Sequence, residues 1–173
     1  RLADLRTRAP RPMSIVGWCL GGIYARGIAR ISPDAVRAVV TLGSPFRSMP
    51  GHESHAAPFA RLWGGSTPES ARLGDDRPLP VPSTSVFSRS VGIVPWRACL
   101  NATSGPHETI EVLGSHCGLG HHPAVLLVVA DRLAQAPGHW HRMRIPPPLR
   151  PLVRHHTPDL AGASGRRFGP GGL

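Results

Sequence analysis

Lysine is absent from the 173-residue sequence: all 20 basic residues are arginine, set against 10 acidic ones. Asparagine and glutamine occur once each, as Asn101 and Gln135. An arginine-only basic set is what GC-rich coding produces, so the formal charge of +10 is weak ground for a nucleic-acid function. Aromatic residues make up only 5%, and no basic stripe is interleaved with them, which argues against a specific nucleic-acid surface. A chain this basic binds polyanions weakly and with strong salt dependence. Long apolar runs are missing too. The longest, such as Ala124–Ala130, fall far short of the roughly 20 residues a membrane span needs. Three cysteines, Cys19, Cys99 and Cys117, cannot complete a disulfide framework, and they fit a reducing, cytoplasmic compartment. The basic opening Arg1–Pro12 is followed by no apolar core, so no secretory signal is legible.

Glycine and proline are abundant, at 20 residues each, and they punctuate the chain. Arg1–Pro12 reads as the end of a surface helix and a turn. Met13–Trp18 is a short apolar run ending beside glycine, which suits a buried strand. A helix is expected over Ile23–Arg30, with Ile23, Gly27 and Ile28 on one face and Arg26 and Arg30 on another, stopped by Ser32-Pro33. Ala35–Leu42 is rich in β-branched residues and predicts a second buried strand, closed by Gly43-Ser44-Pro45. From Phe46 to Pro82 every period is broken, as in a lid-like insertion. Ser83–Ser88 and Thr109–Leu113 are further strand candidates. His122–Gln135 is a closing helix with Val125, Val128, Val129 and Leu133 inward. Residues 1–136 then form one domain, and Pro137–Leu173 is a Pro/Gly/Arg-rich tail, disordered and without a core contribution. This order implies an α/β fold with a largely parallel sheet flanked by helices.

The most informative stretch is Ile15-Val-Gly-Trp-Cys-Leu-Gly-Gly22. Strand, Gly-x-Cys-x-Gly, helix is the arrangement of a nucleophile elbow. The central residue sits on a sharp, strained turn, so its neighbours two before and two after must be tiny; here they are Gly17 and Gly21. Cys19 is then lifted above the sheet at the start of a helix. That position is expected to lower the thiol pKa, with the Leu20 N–H offered to a developing oxyanion. A structural cysteine in a glycine-rich turn satisfies the same five residues.

A second constellation, Gly114-Ser-His-Cys-Gly-Leu-Gly-His-His122, lies between the last strand and the last helix. A histidine there is where an elbow nucleophile finds its general base. Its place directly after a strand and among glycines favours His116 over His121 and His122. A catalytic acid should stand between, yet the loop Arg89-Ser-Val-Gly-Ile-Val-Pro-Trp96 carries no carboxylate.

Gly17-Trp-Cys-Leu-Gly-Gly-Ile-Tyr-Ala-Arg26, Thr41-Leu-Gly-Ser-Pro-Phe46, Phe87-Ser-Arg-Ser-Val-Gly-Ile-Val-Pro-Trp96 and Gly114-Ser-His-Cys-Gly-Leu-Gly-His-His-Pro123 together resemble bacterial α/β-hydrolases of the esterase/lipase type, from about Pro12 to Trp140. The resemblance implies a hydrolase of acyl esters or thioesters, needing no cofactor or metal, with Cys19 as nucleophile and His116 as base. Cysteine elbows of the form Gly-x-Cys-x-Gly-Gly are similar to those of dienelactone hydrolases and polyhydroxyalkanoate synthases. Trp18, Phe46 and Trp63 are the candidate substrate contacts.

Three features depart from that family pattern. The elbow carries Cys19 where serine is usual. Val91 occupies the usual position of the catalytic aspartate, whose loss costs on the order of 10⁴ in rate in serine proteases; Glu108 and Glu111 are the nearby carboxylates. Strands expected before the elbow are absent, so the sheet is expected to be incomplete, the chain to resemble a C-terminal part, and an apolar sheet edge to invite self-association. A catalytically inactive relative is therefore the alternative to an esterase. A zinc site from His116, Cys117, His121 and His122 lacks a second ligand pair at zinc-site spacing.

Overall fold

The computed structural model describes Thr7 and residues 11–47, 77–91 and 94–156. Its centre is a five-stranded sheet in the order β1-β2-β3-β4-β5. The strands are β1 (Met13–Trp18), β2 (Val36–Leu42), β3 (Ser83–Phe87), β4 (His107–Val112) and β5 (Val153–His155). The first four run parallel, with Trp18 opposite Leu42, Leu42 opposite Val86, and Phe87 opposite Glu111. β5 returns antiparallel, placing Val153 opposite Val112. Parallel strands send all their C-terminal ends to one edge, where α/β sheets bind ligands. The loops carrying Cys19, Gly43, Ser88 and Gly114 therefore converge there.

Two helices cover opposite faces of the sheet. Helix α1 (Leu20–Ile31) presents Ala25 and Ala29, one turn apart, to Val36 and Val39. Such small residues let the helix axis close on the strands. Leu79 and Val81 complete that layer, so the end of the expected Phe46–Pro82 insertion belongs to the core. Residues 48–76, the bulk of that insertion, lie outside the described residues. Helix α2 (Pro123–Ala134) packs Ala124, Val125 and Val128 on Val40, Leu42, Val86, Ile110 and Val112. Proline at its first position costs no hydrogen bond, and His122 caps it, its Nδ1 accepting from Ala124 N at 3.2 Å.

Three expectations need correction. Leu133, assigned inward, is exposed, while Arg132 is buried and bonds Glu108 at 2.6 Å. Arg26, placed on a different face from Ile23, Gly27 and Ile28, is also buried: its Nη1 donates to Asn101 Oδ1 at 2.9 Å, and its guanidinium lies 3.6 Å over the Phe46 ring. Asn101 Nδ2 in turn donates to Ser83 O and Glu108 O, each at 3.1 Å, tying α1 to β3 and β4. A buried cation is tolerated only when paired in this way, and such partners lie too far along the chain for a helical pattern to show them.

The tail expectation fails for residues 137–156. Met143 and Val153 are buried, Ile145 and Leu149 pack against the same cluster, and His155 Nε2 meets Met143 O at 2.8 Å. Isolated apolar residues among prolines have no period of their own; the edge of β4 supplies the order. Residues 157–173 lie outside the described residues. At the other margin, no described strand pairs with the outer edge of β1, and Val16 and Trp18 are 42% and 46% exposed.

Candidate active site

Cys19 joins β1 to α1 with φ 51° and ψ −121°. Among the described residues it is the sole non-glycine at positive φ. A side chain is held in this region only where the surroundings over-determine it. Here the Cys19 N–H donates to Leu42 O at 2.9 Å, and the Gly22 N–H to Cys19 O at 3.1 Å. The turn is so tight that a Cβ on Gly17 would stand 2.5 Å from the backbone of Gly21 and Gly22. At Gly22 a Cβ would meet Ser44 Cβ at 2.7 Å, whereas at Gly21 it would have nothing within 4 Å. The glycine pair imposed by packing is thus Gly17 and Gly22, not Gly17 and Gly21.

Cys19 is half-buried. Burial pushes its thiol above the usual value, with the Leu20 N–H acting against that and Cys117 adding to it. The expected thiolate-favouring elbow is corrected: desolvation outweighs the helix start. Cys99 is buried and pushed up to about 12, again by burial. Cys117 is exposed.

His116 follows β4 and is 4% exposed. Trp18 holds it: the Trp18 Nε1–H donates to His116 O at 3.3 Å, and the two rings lie 6.1 Å apart at 36°. Gly43, at φ +56°, backs the imidazole, since a Cβ there would stand 3.0 Å from His116 Nδ1. Burial lowers the His116 pKa, favouring the neutral ring. Trp18, the residue before Cys19, thus touches His116, almost a hundred residues further along the sequence.

The acid is another matter. Val91 ends the short turn Arg89–Val91 after β3. Glu108 accepts from Thr84 Oγ1 at 2.8 Å, Arg132 Nη1 at 2.6 Å and Met143 N at 3.1 Å. Glu111 accepts from Arg154 Nη2 at 2.8 Å and meets Arg89 Nε at 3.1 Å. Burial raises its pKa, but Arg154 and Arg89 outweigh this and hold the carboxyl below its usual value. Both carboxylates are committed to arginines. His116 Nδ1 is buried with no hydrogen-bond partner among the described residues.

Of the substrate-contact candidates, Trp18 is exposed at the site, Phe46 is buried against Ile23 and under Arg26, and Trp63 lies outside the described residues. No group of three or more metal-ligating side chains occurs among the described residues. No described helix is long and apolar enough to cross a membrane.

Solved structures share this architecture. A protein of Mycobacterium tuberculosis provisionally classed as a non-heme bromoperoxidase, BpoC, superposes with a TM-score of 0.55 at 12% identity, over 75% of this chain and 69% of that one. A meta-cleavage product hydrolase, CumD, gives 0.56 at 15% identity, over 78% and 70%. A pyrethroid hydrolase, PytH, gives 0.54 at 19% identity, over 80% and 76%. The chain has the α/β-hydrolase fold. No family model matches the sequence, and no curated protein matches it.

Within an α/β-hydrolase fold, Cys19 and His116 stand after β1 and β4 as the sequence places them. Sequence reasoning missed Gly43 and Ser44, whose backbone and side chain shape the space around His116 and Gly22. The available signal was a glycine directly after a strand, read as a strand stop and as part of the Thr41–Phe46 block, with no role assigned at the site. The Trp18–His116 hydrogen bond had no sequence signal at all.

Proposed function

We propose that the protein hydrolyses small acyl esters or thioesters, with Cys19 as nucleophile and His116 as general base. The observation that carries this is the strained backbone of Cys19, a non-glycine held at φ 51° between Gly17 and the start of α1. The raised thiol pKa and the lowered imidazole pKa favour a neutral pair over a preformed thiolate–imidazolium. The proton therefore leaves during attack. Cys19 Sγ bonds to the carbonyl carbon as its proton passes to His116, and the oxyanion forms beside the Leu20 N–H. Collapse expels the alcohol or thiol, which takes the proton back from His116. Water, deprotonated by His116, then releases the acid and restores the thiol. Trp18 lies where the acyl group would enter, and the protein works from a cytoplasmic, reducing setting that keeps the thiol free.

A second reading, a catalytically inactive relative, is favoured by one observation: the orphaned Nδ1 of His116, with valine at position 91. Hydrolysis of p-nitrophenyl butyrate separates the two. The esterase reading expects slow turnover that Cys19→Ala and His116→Ala abolish. It also expects Val91→Asp to raise the rate toward the roughly 10⁴ an oriented acid contributes. Silence from both the natural chain and Val91→Asp would establish the inactive relative.

A further inference from the structure

A cavity of about 330 Å³ opens at the end of the sheet opposite Cys19 and His116. Its wall is the first half of β2 (Arg37 to Val40), with the starts of β3 and β4 beside it. The end of α2 and the segment reaching Trp140 close it over. The size suits a small organic ligand.

Among the described residues two guanidiniums line the cavity, Arg37 and Arg132, and no carboxylate does. They differ in one respect. The Arg132 charge is answered by Glu108 and Asp131. Among the described residues Arg37 meets neutral oxygens alone: Nε donates to Ser14 Oγ at 2.9 Å, Nη1 to Gln135 O at 2.8 Å and Nη2 to Leu133 O at 2.9 Å. Three of its five N–H groups are so used, leaving two donors on a part-buried cation with no counter-charge among the described residues. Those bonds also fix the guanidinium, so a ligand would not bear the entropy of ordering it. Around it, Pro82, Pro106 and Trp140 supply apolar wall.

We propose that this cavity binds a small organic monoanion, a carboxylate on an apolar or aromatic body, with the head group on Arg37 and the body against Pro82, Pro106 and Trp140. The site is separate from Cys19 and does not depend on the esterase reading.

The test is titration calorimetry of the whole protein with 2-naphthoate, and with neutral 2-naphthalenemethanol as its control. The carboxylate is expected to bind at least about tenfold more tightly than the alcohol, as a charge-assisted hydrogen bond implies. Arg37→Gln is expected to remove that difference, and prior alkylation of Cys19 to leave it unchanged. Equal affinity for the two compounds, no binding of either, or loss of binding on Cys19 alkylation would each overturn the proposal. The comparison of the two ligands on the natural chain stands even if Arg37→Gln fails to fold.

Discussion

Replacing Gly17 by alanine should destabilise the protein, and replacing Gly21, four residues on in the same motif, should not. The new Cβ at Gly17 would stand 2.5 Å from Gly21 C, Gly21 O and Gly22 Cα, about an ångström inside ordinary van der Waals contact. These are backbone atoms of the first turn of α1, so no side chain can swing aside; the helix start must move off β1. Overpacking of this kind costs about 1–3 kcal/mol, and a rigid backbone neighbour puts Gly17→Ala at the upper end. For a chain of this length, about 3 kcal/mol is a drop in Tm of about 6–12 °C. At Gly21 nothing lies within 4 Å and φ is not positive. Exchange of glycine for alanine inside a helix contributes about 0.5–1 kcal/mol, so Gly21→Ala should be neutral or stabilising. Urea denaturation followed by circular dichroism reads both. Equal destabilisation by the two variants would refute the geometry assigned to the elbow, as would a Gly17→Ala protein as stable as the natural chain.

Alkylation by iodoacetamide, mapped by mass spectrometry, should modify exposed Cys117 first and buried Cys99 last, with the Cys19 rate still climbing above pH 9 because burial raises its pKa. From pH 8 down to about 6.5 stability should hold, and it should fall below that. Burial depresses the pKa of His107 and His116, with Arg26 and Arg30 lowering His107 further, so the unfolded chain takes up protons first. The urea midpoint measured from pH 8 to pH 4.5 checks this, and an invariant midpoint contradicts it. Arg132→Met strands Glu108 in the core and should cost about 3–5 kcal/mol by denaturant titration.

Strand and helix order was legible because β-branched runs and glycine stops mark a parallel sheet strongly. Met13–Trp18 is a strand as read, and the others shift by a residue or two at their ends. Charge was harder to place. Arg26 and Arg132 look like solvent-facing residues of amphipathic helices, and what buries them is Asn101, Glu108 and Phe46, residues 20 to 75 positions away. β5 was invisible for a related reason: three residues, Val153 to His155, gain strand character only by pairing with β4. At the site, the elbow glycines announced the turn, but the sign of the Cys19 pKa shift depends on how deeply the sulfur is buried, which no motif encodes. The missing acid was visible as Val91. That Glu108 and Glu111 do not replace it could be learned only from the arginines that hold them.

The proposed hydrolysis requires Cys19 to accept the acyl group. Intact-mass spectrometry after brief exposure to p-nitrophenyl butyrate tests this directly, with peptide mapping to locate any adduct. One butyryl group on Cys19, absent in Cys19→Ala and cleared more slowly in His116→Ala, is the predicted result. An unmodified chain, or acylation that persists in Cys19→Ala, would contradict it.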